Sequence, residues 1–93
     1  MTPDLTAEQV LDLLRSAVGI VLEVDPSTLS RSTRFVDDLR ADSLALVEIV
    51  EIVEGDVTRS RPGFRIADED LDRLRTLGDA VDYAVARLEA RLA

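Results

Sequence analysis

The residues best placed to do chemistry are Ala41-Asp42-Ser43-Leu44, inside the stretch DDLRADSLALVEIVE from Asp37 to Glu51. A serine hydroxyl becomes a nucleophile only with a base beside it. The chain has no His and no Lys, and Arg keeps its proton near neutral pH. Carboxylate pairs exist at Asp37/Asp38 and Asp68/Asp70, but among 19 acidic residues they read as solvated surface. There is no Cys and no glycine-rich phosphate loop, so thiolate chemistry, a Cys/His metal site and nucleotide cradling are not expected. Catalysis by this chain alone is therefore not expected. Ser43 remains as an acceptor, because the amides and dipole of a helix start favour an attached anion such as a phosphodiester. Asp42 and Asp38 would oppose that anion, which assigns them to recruiting a cationic partner. The plainer alternative for Ser43 is a helix cap.

The elements that position Ser43 follow from apolar spacing. Thr6-Ala7-Glu8-Gln9 reads as a capping box. Val10, Leu13, Leu14, Ala17, Val18, Val21 and Leu22 then keep helical period, predicting a helix over 7–22 that Asp25-Pro26 stops. Residues 23–41 form a long connection with Leu29, Phe35, Val36 and Leu39 as candidate anchors. A second helix is expected over 42–54, with Leu46, Ile49, Val50 and Val53 on one face and Leu44, Glu48 and Glu51 on the other, ended by Gly55. Pro62-Gly63 signals a turn. A short helix over 68–74 and a last one over 77–91, capped by Thr76, complete the chain. The expected fold is all-α, a small antiparallel bundle of three main helices plus one short one with a long first loop, in one domain over 1–93.

The formal charge of −8 repels nucleic acid and anionic membranes and attracts basic protein surfaces. The longest apolar run, Ala17 to Leu22, is too short to cross a bilayer. Met1-Thr2-Pro3-Asp4 has no signal-peptide character, and the lack of Cys fits a reducing compartment, so a cytoplasmic location is expected.

Three segments in order carry a resemblance. Leu39-Arg40-Ala41-Asp42-Ser43-Leu44 resembles the acyl carrier protein signature Leu-Gly-Ala-Asp-Ser-Leu. Ile66-Ala67-Asp68-Glu69-Asp70-Leu71 is similar to that family's Ile-Pro-Asp-Glu segment, and Leu77-Gly78-Asp79-Ala80-Val81-Asp82-Tyr83 to the start of its last helix. The likeness spans about residues 7 to 90. It implies that Ser43, flanked by Asp42 and Leu44, carries 4'-phosphopantetheine donated from coenzyme A by a phosphopantetheinyl transferase. The terminal thiol of that arm would hold acyl groups as thioesters, and the chain would present them to acyl-transferring and condensing enzymes with basic docking patches. Asp38, Leu44, Glu48 and Glu51 are the docking residues the resemblance implies, on a carrier that is expected to be monomeric.

The sequence also departs from the pattern. Arg40 stands where the family has Gly, so a positive φ is not expected there. Ala45, Glu51 and Ala67 differ from common relatives, as does the Arg-bearing segment from Gly55 to Arg65. These changes point to a specialised carrier, of a polyketide-type more than a housekeeping fatty-acid pathway. A second function class is an acidic helical adaptor that binds one partner and is never modified.

Overall fold

The structure, a computed structural model, describes residues 5–59 and 63–92. Three helices run as α1 (Ala7–Leu22), α2 (Ser43–Thr58) and α3 (Leu77–Leu92), with short 3₁₀ turns at Pro26–Thr28 and Asp68–Arg73. Among the described residues there is no strand, only an isolated antiparallel bridge between Arg34 and Thr76. The signal-peptide reading of residues 1–4 and the part of the expected turn at Pro62 lie outside the described residues.

α1 begins as its sequence requires. The Gln9 amide donates to Thr6 Oγ1 at 3.2 Å, and the Thr6 amide donates to Gln9 Oε1 at 2.9 Å, so two orphan donors are satisfied reciprocally. Its inward face buries Val10, Leu14, Ala17 and Val18. The helix stops at Leu22 because Glu23 turns left-handed, φ 57°, three residues before the proline expected to end it. Pro26 then folds back over Gly19, where a Cβ would sit 3.0 Å from the proline ring. Asp25 accepts the Ser27 amide and hydroxyl, which starts the 3₁₀ turn and holds its carboxyl below the usual range.

α2 is longer than its sequence suggests. Gly55, expected as its end, lies inside the helix, which continues to Thr58. The reason is Val57, fully buried in the core. Burying such a side chain stabilises by about 1.5–3 kcal/mol, more than the ~1 kcal/mol that a mid-helix glycine costs. A Cβ on Gly55 would meet nothing within 4 Å. Gly55→Ala should therefore stabilise the protein by about 0.5–1 kcal/mol, read as a higher urea midpoint with unchanged slope.

α1 packs against both α2 and α3. The core between them is closed by Phe35 from the first loop and Phe64 from the second, the two largest fully buried side chains. The second loop is latched on both sides: the Ile66 amide donates to Glu54 at 2.6 Å, the Ala67 amide to the Tyr83 hydroxyl at 3.4 Å, and that hydroxyl to Asp70. Burial and the Asp70 contact raise the Tyr83 pKa.

Candidate functional site

Ser43 is the first residue of α2, and its position is set by the cap at the helix start and by the loop before it. The cap belongs to Asp42, whose Oδ1 accepts the Ala45 amide at 2.8 Å while its carbonyl accepts Leu46 N–H at 3.0 Å. Ser43 is thus relieved of the capping role; its side chain is exposed and its hydroxyl makes no hydrogen bond among the described residues. The first-turn amides of Ser43 and Leu44 have no intrahelical acceptor, as at any helix start. They point the positive end of α2 at whatever the hydroxyl carries.

The loop before Ser43 is held by backbone pairing. Phe35 N–H donates to Arg75 O and Leu77 N–H to Thr33 O, both at 3.0 Å, and Gly78 N–H donates to Arg31 O at 2.8 Å. A Cβ at Gly78 would lie 3.0 Å from that carbonyl, so this close approach needs glycine. Arg31 also pairs with Asp82 across 2.7 Å. Between Phe35 and Ala41 the chain makes a tight turn, closed by Ala41 N–H to Phe35 O at 2.8 Å and Arg40 N–H to Val36 O at 2.9 Å. That turn puts Arg40 at φ 55°, contrary to the expectation that replacing glycine removes the need for a positive φ. The turn demands the conformation whatever residue occupies it. A left-handed non-glycine residue costs about 1–2 kcal/mol. Arg40→Gly should thus stabilise by about 0.5–1 kcal/mol after the added unfolded-state entropy, while Arg40→Ala should not. Paired thermal melts check this.

Asp38 has a local task as well: its carboxylate accepts the Arg34 amide at 2.8 Å and helps close the turn. Asp37 pairs with Arg34 at 3.3 Å. Leu44, Glu48 and Glu51 all face solvent, Leu44 at 66% exposure, on the side of α2 opposite Ile49, Val50 and Val53. Two exposed apolar residues were not legible as such. Val36, expected to anchor the loop, is 66% exposed beside the turn, and Ile20 is 67% exposed near the end of α1. Ile20 does fall off the α1 apolar stripe, which is the one sequence signal for it. Thr76 caps α3 in a reciprocal box, accepting Asp79 N–H at 3.0 Å while Asp79 accepts Thr76 N–H at 3.2 Å.

A groove of about 700 Å³ opens at Ser43, between the first loop and the Asp68–Arg73 turn. Val36, Leu46, Leu71 and Leu74 contribute to its lining. No cluster of His, Cys, Asp and Glu among the described residues could hold a metal ion, and none of their helices is long and apolar enough to cross a membrane. A free, exposed hydroxyl at a helix N-terminus, beside a groove, fits a covalently attached phosphodiester arm.

Comparison with known proteins agrees. Residues 12–84 match the phosphopantetheine attachment site family. The chain is 40% identical to an acyl carrier protein of Rhodococcus erythropolis, over 91% of this chain and 87% of that one. It is 39% identical to the meromycolate extension acyl carrier protein of Mycolicibacterium smegmatis, over 90% and 79%. An acyl carrier protein of Acidothermus cellulolyticus is 37% identical, over 85% and 88%. The chain belongs to the acyl carrier protein family, whose members hold acyl groups as thioesters on a covalently attached 4'-phosphopantetheine.

Proposed function

We propose that Ser43 is the attachment residue, within a single carrier domain over 1–93 that has no catalytic activity of its own. The observation that carries this is the division of labour at the start of α2: Asp42 caps the helix, and Ser43 keeps an exposed, unbonded hydroxyl. In loading, Ser43 Oγ bonds to the phosphorus of coenzyme A as the bond to the departing adenosine bisphosphate breaks. The serine proton passes to a base of the transferase, since this chain has neither His nor Lys. When attached, the arm supplies the thiol that this Cys-free chain lacks. The first-turn amides of α2 stabilise the phosphodiester charge beside Ser43. Asp42 holds those amides in helical geometry, so its role is positioning as much as recruitment.

Leu44, Glu48 and Glu51 form the proposed docking face for the transferase and for acyl-transferring and condensing enzymes with basic patches. Leu44 provides the apolar contact and the two glutamates the steering field. Glu48→Arg with Glu51→Arg should slow association with a basic partner enzyme about tenfold or more at low salt, with little change in dissociation. Equal rates for parent and variant in stopped-flow at low salt would count against this face. We further propose a cytoplasmic, monomeric carrier working in trans. One of the relatives is named for meromycolate extension, which favours acyl-chain extension of that kind over the polyketide type suggested by the departures in sequence.

The test is the intact mass of the protein after incubation with coenzyme A and a broad-specificity phosphopantetheinyl transferase, followed by peptide mapping. One added arm on the peptide containing Ser43 is expected. No added mass on a folded protein would favour the unmodified adaptor instead.

A further inference from the structure

We propose that the cleft between the end of α1 and the outer side of α2 is a further docking contact, used by partner enzymes that act on the arm's thioester and filled by an apolar side chain flanked by Arg or Lys. This rests on the Ser43 and α2 docking readings above and adds α1 to that surface. The cleft has a volume of about 470 Å³ and is lined by Ile20 and Val21 of α1 and by Glu48, Glu51 and Ile52 of α2.

The lining combines two kinds of group. Ile20 is 67% exposed, and Val21 and Ile52 are half-buried. Three branched apolar side chains from two helices thus share one opening, and an apolar patch beside charged groups is the usual mark of an interaction site. Glu48 and Glu51 are exposed, and neither has a hydrogen bond or ion pair among the described residues. Every charge that lines the cleft is negative. A second copy of this chain would set its own glutamates against these two, which is repulsive. A cationic protein surface is attracted by the glutamates and gains from covering the three apolar side chains.

Position decides which partners use it. Leu44, Glu48 and Ile52 follow one another at four-residue spacing, so they form one row along α2 and the cleft continues the face that begins at Leu44. From Ser43 to Ile52 is about 14 Å along the axis of α2. A phosphopantetheinyl transferase must bring its reacting groups to Ser43 Oγ itself, which centres its contacts on the start of α2. An enzyme that acts on the thioester receives the far end of the arm instead. It is free to settle on the middle of α2 and on Ile20 while Ser43 stands at the mouth of its active site. The cleft therefore serves condensation and not loading.

The experiment uses a purified condensing enzyme, a β-ketoacyl synthase that accepts the acetyl-loaded parent, with each carrier first shown by intact mass to hold one arm. Ile20→Ser, at an exposed position, should stay folded by circular dichroism and take the arm from coenzyme A at the parent's rate. Its KM with the synthase should rise about fivefold with kcat unchanged, and the ratio should persist at high salt because the lost contact is apolar. Amide shifts of the labelled, loaded parent on adding the synthase should reach Ile20, Val21 and Ile52 as well as Leu44 and Glu48. An unchanged KM for Ile20→Ser, or shifts confined to residues 41–48, overturns the cleft while leaving the α2 face to its own charge-reversal test. Loading slowed as much as condensation overturns the division between partners. Sedimentation that shows the parent self-associating through Ile20 assigns the cleft to a second copy and overturns the proposal. A parent that takes no arm overturns the Ser43 reading and this one with it.

Discussion

Ser43→Ala will gain no mass from coenzyme A and a phosphopantetheinyl transferase, and its stability will stay within about 0.5 kcal/mol of the parent. Both halves follow from Asp42 being the cap. Had Ser43 been the cap, its replacement by alanine would cost about 1 kcal/mol. The hydroxyl has no hydrogen bond among the described residues, so its removal orphans no buried group. Asp42→Ala should show the opposite pattern. Loss of the 2.8 Å bond from Ala45 N–H should cost about 1 kcal/mol, lowering the melting temperature by about 4–8 °C. Its serine remains, so it should still load, with a lower rate because the helix start that presents Ser43 frays. Intact mass and thermal melts on the two variants separate attachment from capping. Loading of Ser43→Ala would sink the assignment outright.

Phe35→Ala should have the largest effect on stability, a loss of about 3–5 kcal/mol. Phe35 is 1% exposed and plugs the core from the loop side. Its backbone also donates to Arg75 O and accepts from Ala41 N–H, so it connects the segment leading into α3, the loop and the approach to Ser43. Small domains have about 5–15 kcal/mol in all, so this one truncation removes a large share. A urea midpoint that falls with unchanged slope is the expected result. A loss below about 1 kcal/mol would mean that the loop is held by its backbone pairing and not by the ring.

Local features of this chain could be read directly. The Thr6–Gln9 box and the stripe from Val10 to Leu22 lie within one helix, so the interactions that define α1 are between near neighbours in sequence. The same holds for Thr76 at the start of α3 and for the acidic outer face of α2. The signature around Ser43 was legible because its residues are contiguous.

Other features depended on residues far apart in the chain. Gly55 looked like a helix end by its own propensity, but Val57, two residues on, is buried against other elements and carries α2 forward. Arg40 looked free of glycine's constraint, yet the turn closed by Ala41 N–H to Phe35 O imposes φ 55°. Val36 looked like an anchor because it is apolar, but the ring of Phe35 fills the core and Val36 lies in the exposed turn that follows it.

The sequence by itself determined where the three main helices lie, the acidic surface, the lack of His and Lys, and Ser43 as the residue of interest, because each depends on composition or on neighbours within one turn. The tertiary structure alone decided that Asp42 caps α2 and so leaves the serine hydroxyl free, and that a groove lies beside it. Capping is a choice between two adjacent competent side chains, and a groove is the space between segments some thirty residues apart. The cap is a local bond whose choice the sequence leaves open; the groove follows from how the first loop is stitched onto the start of α3.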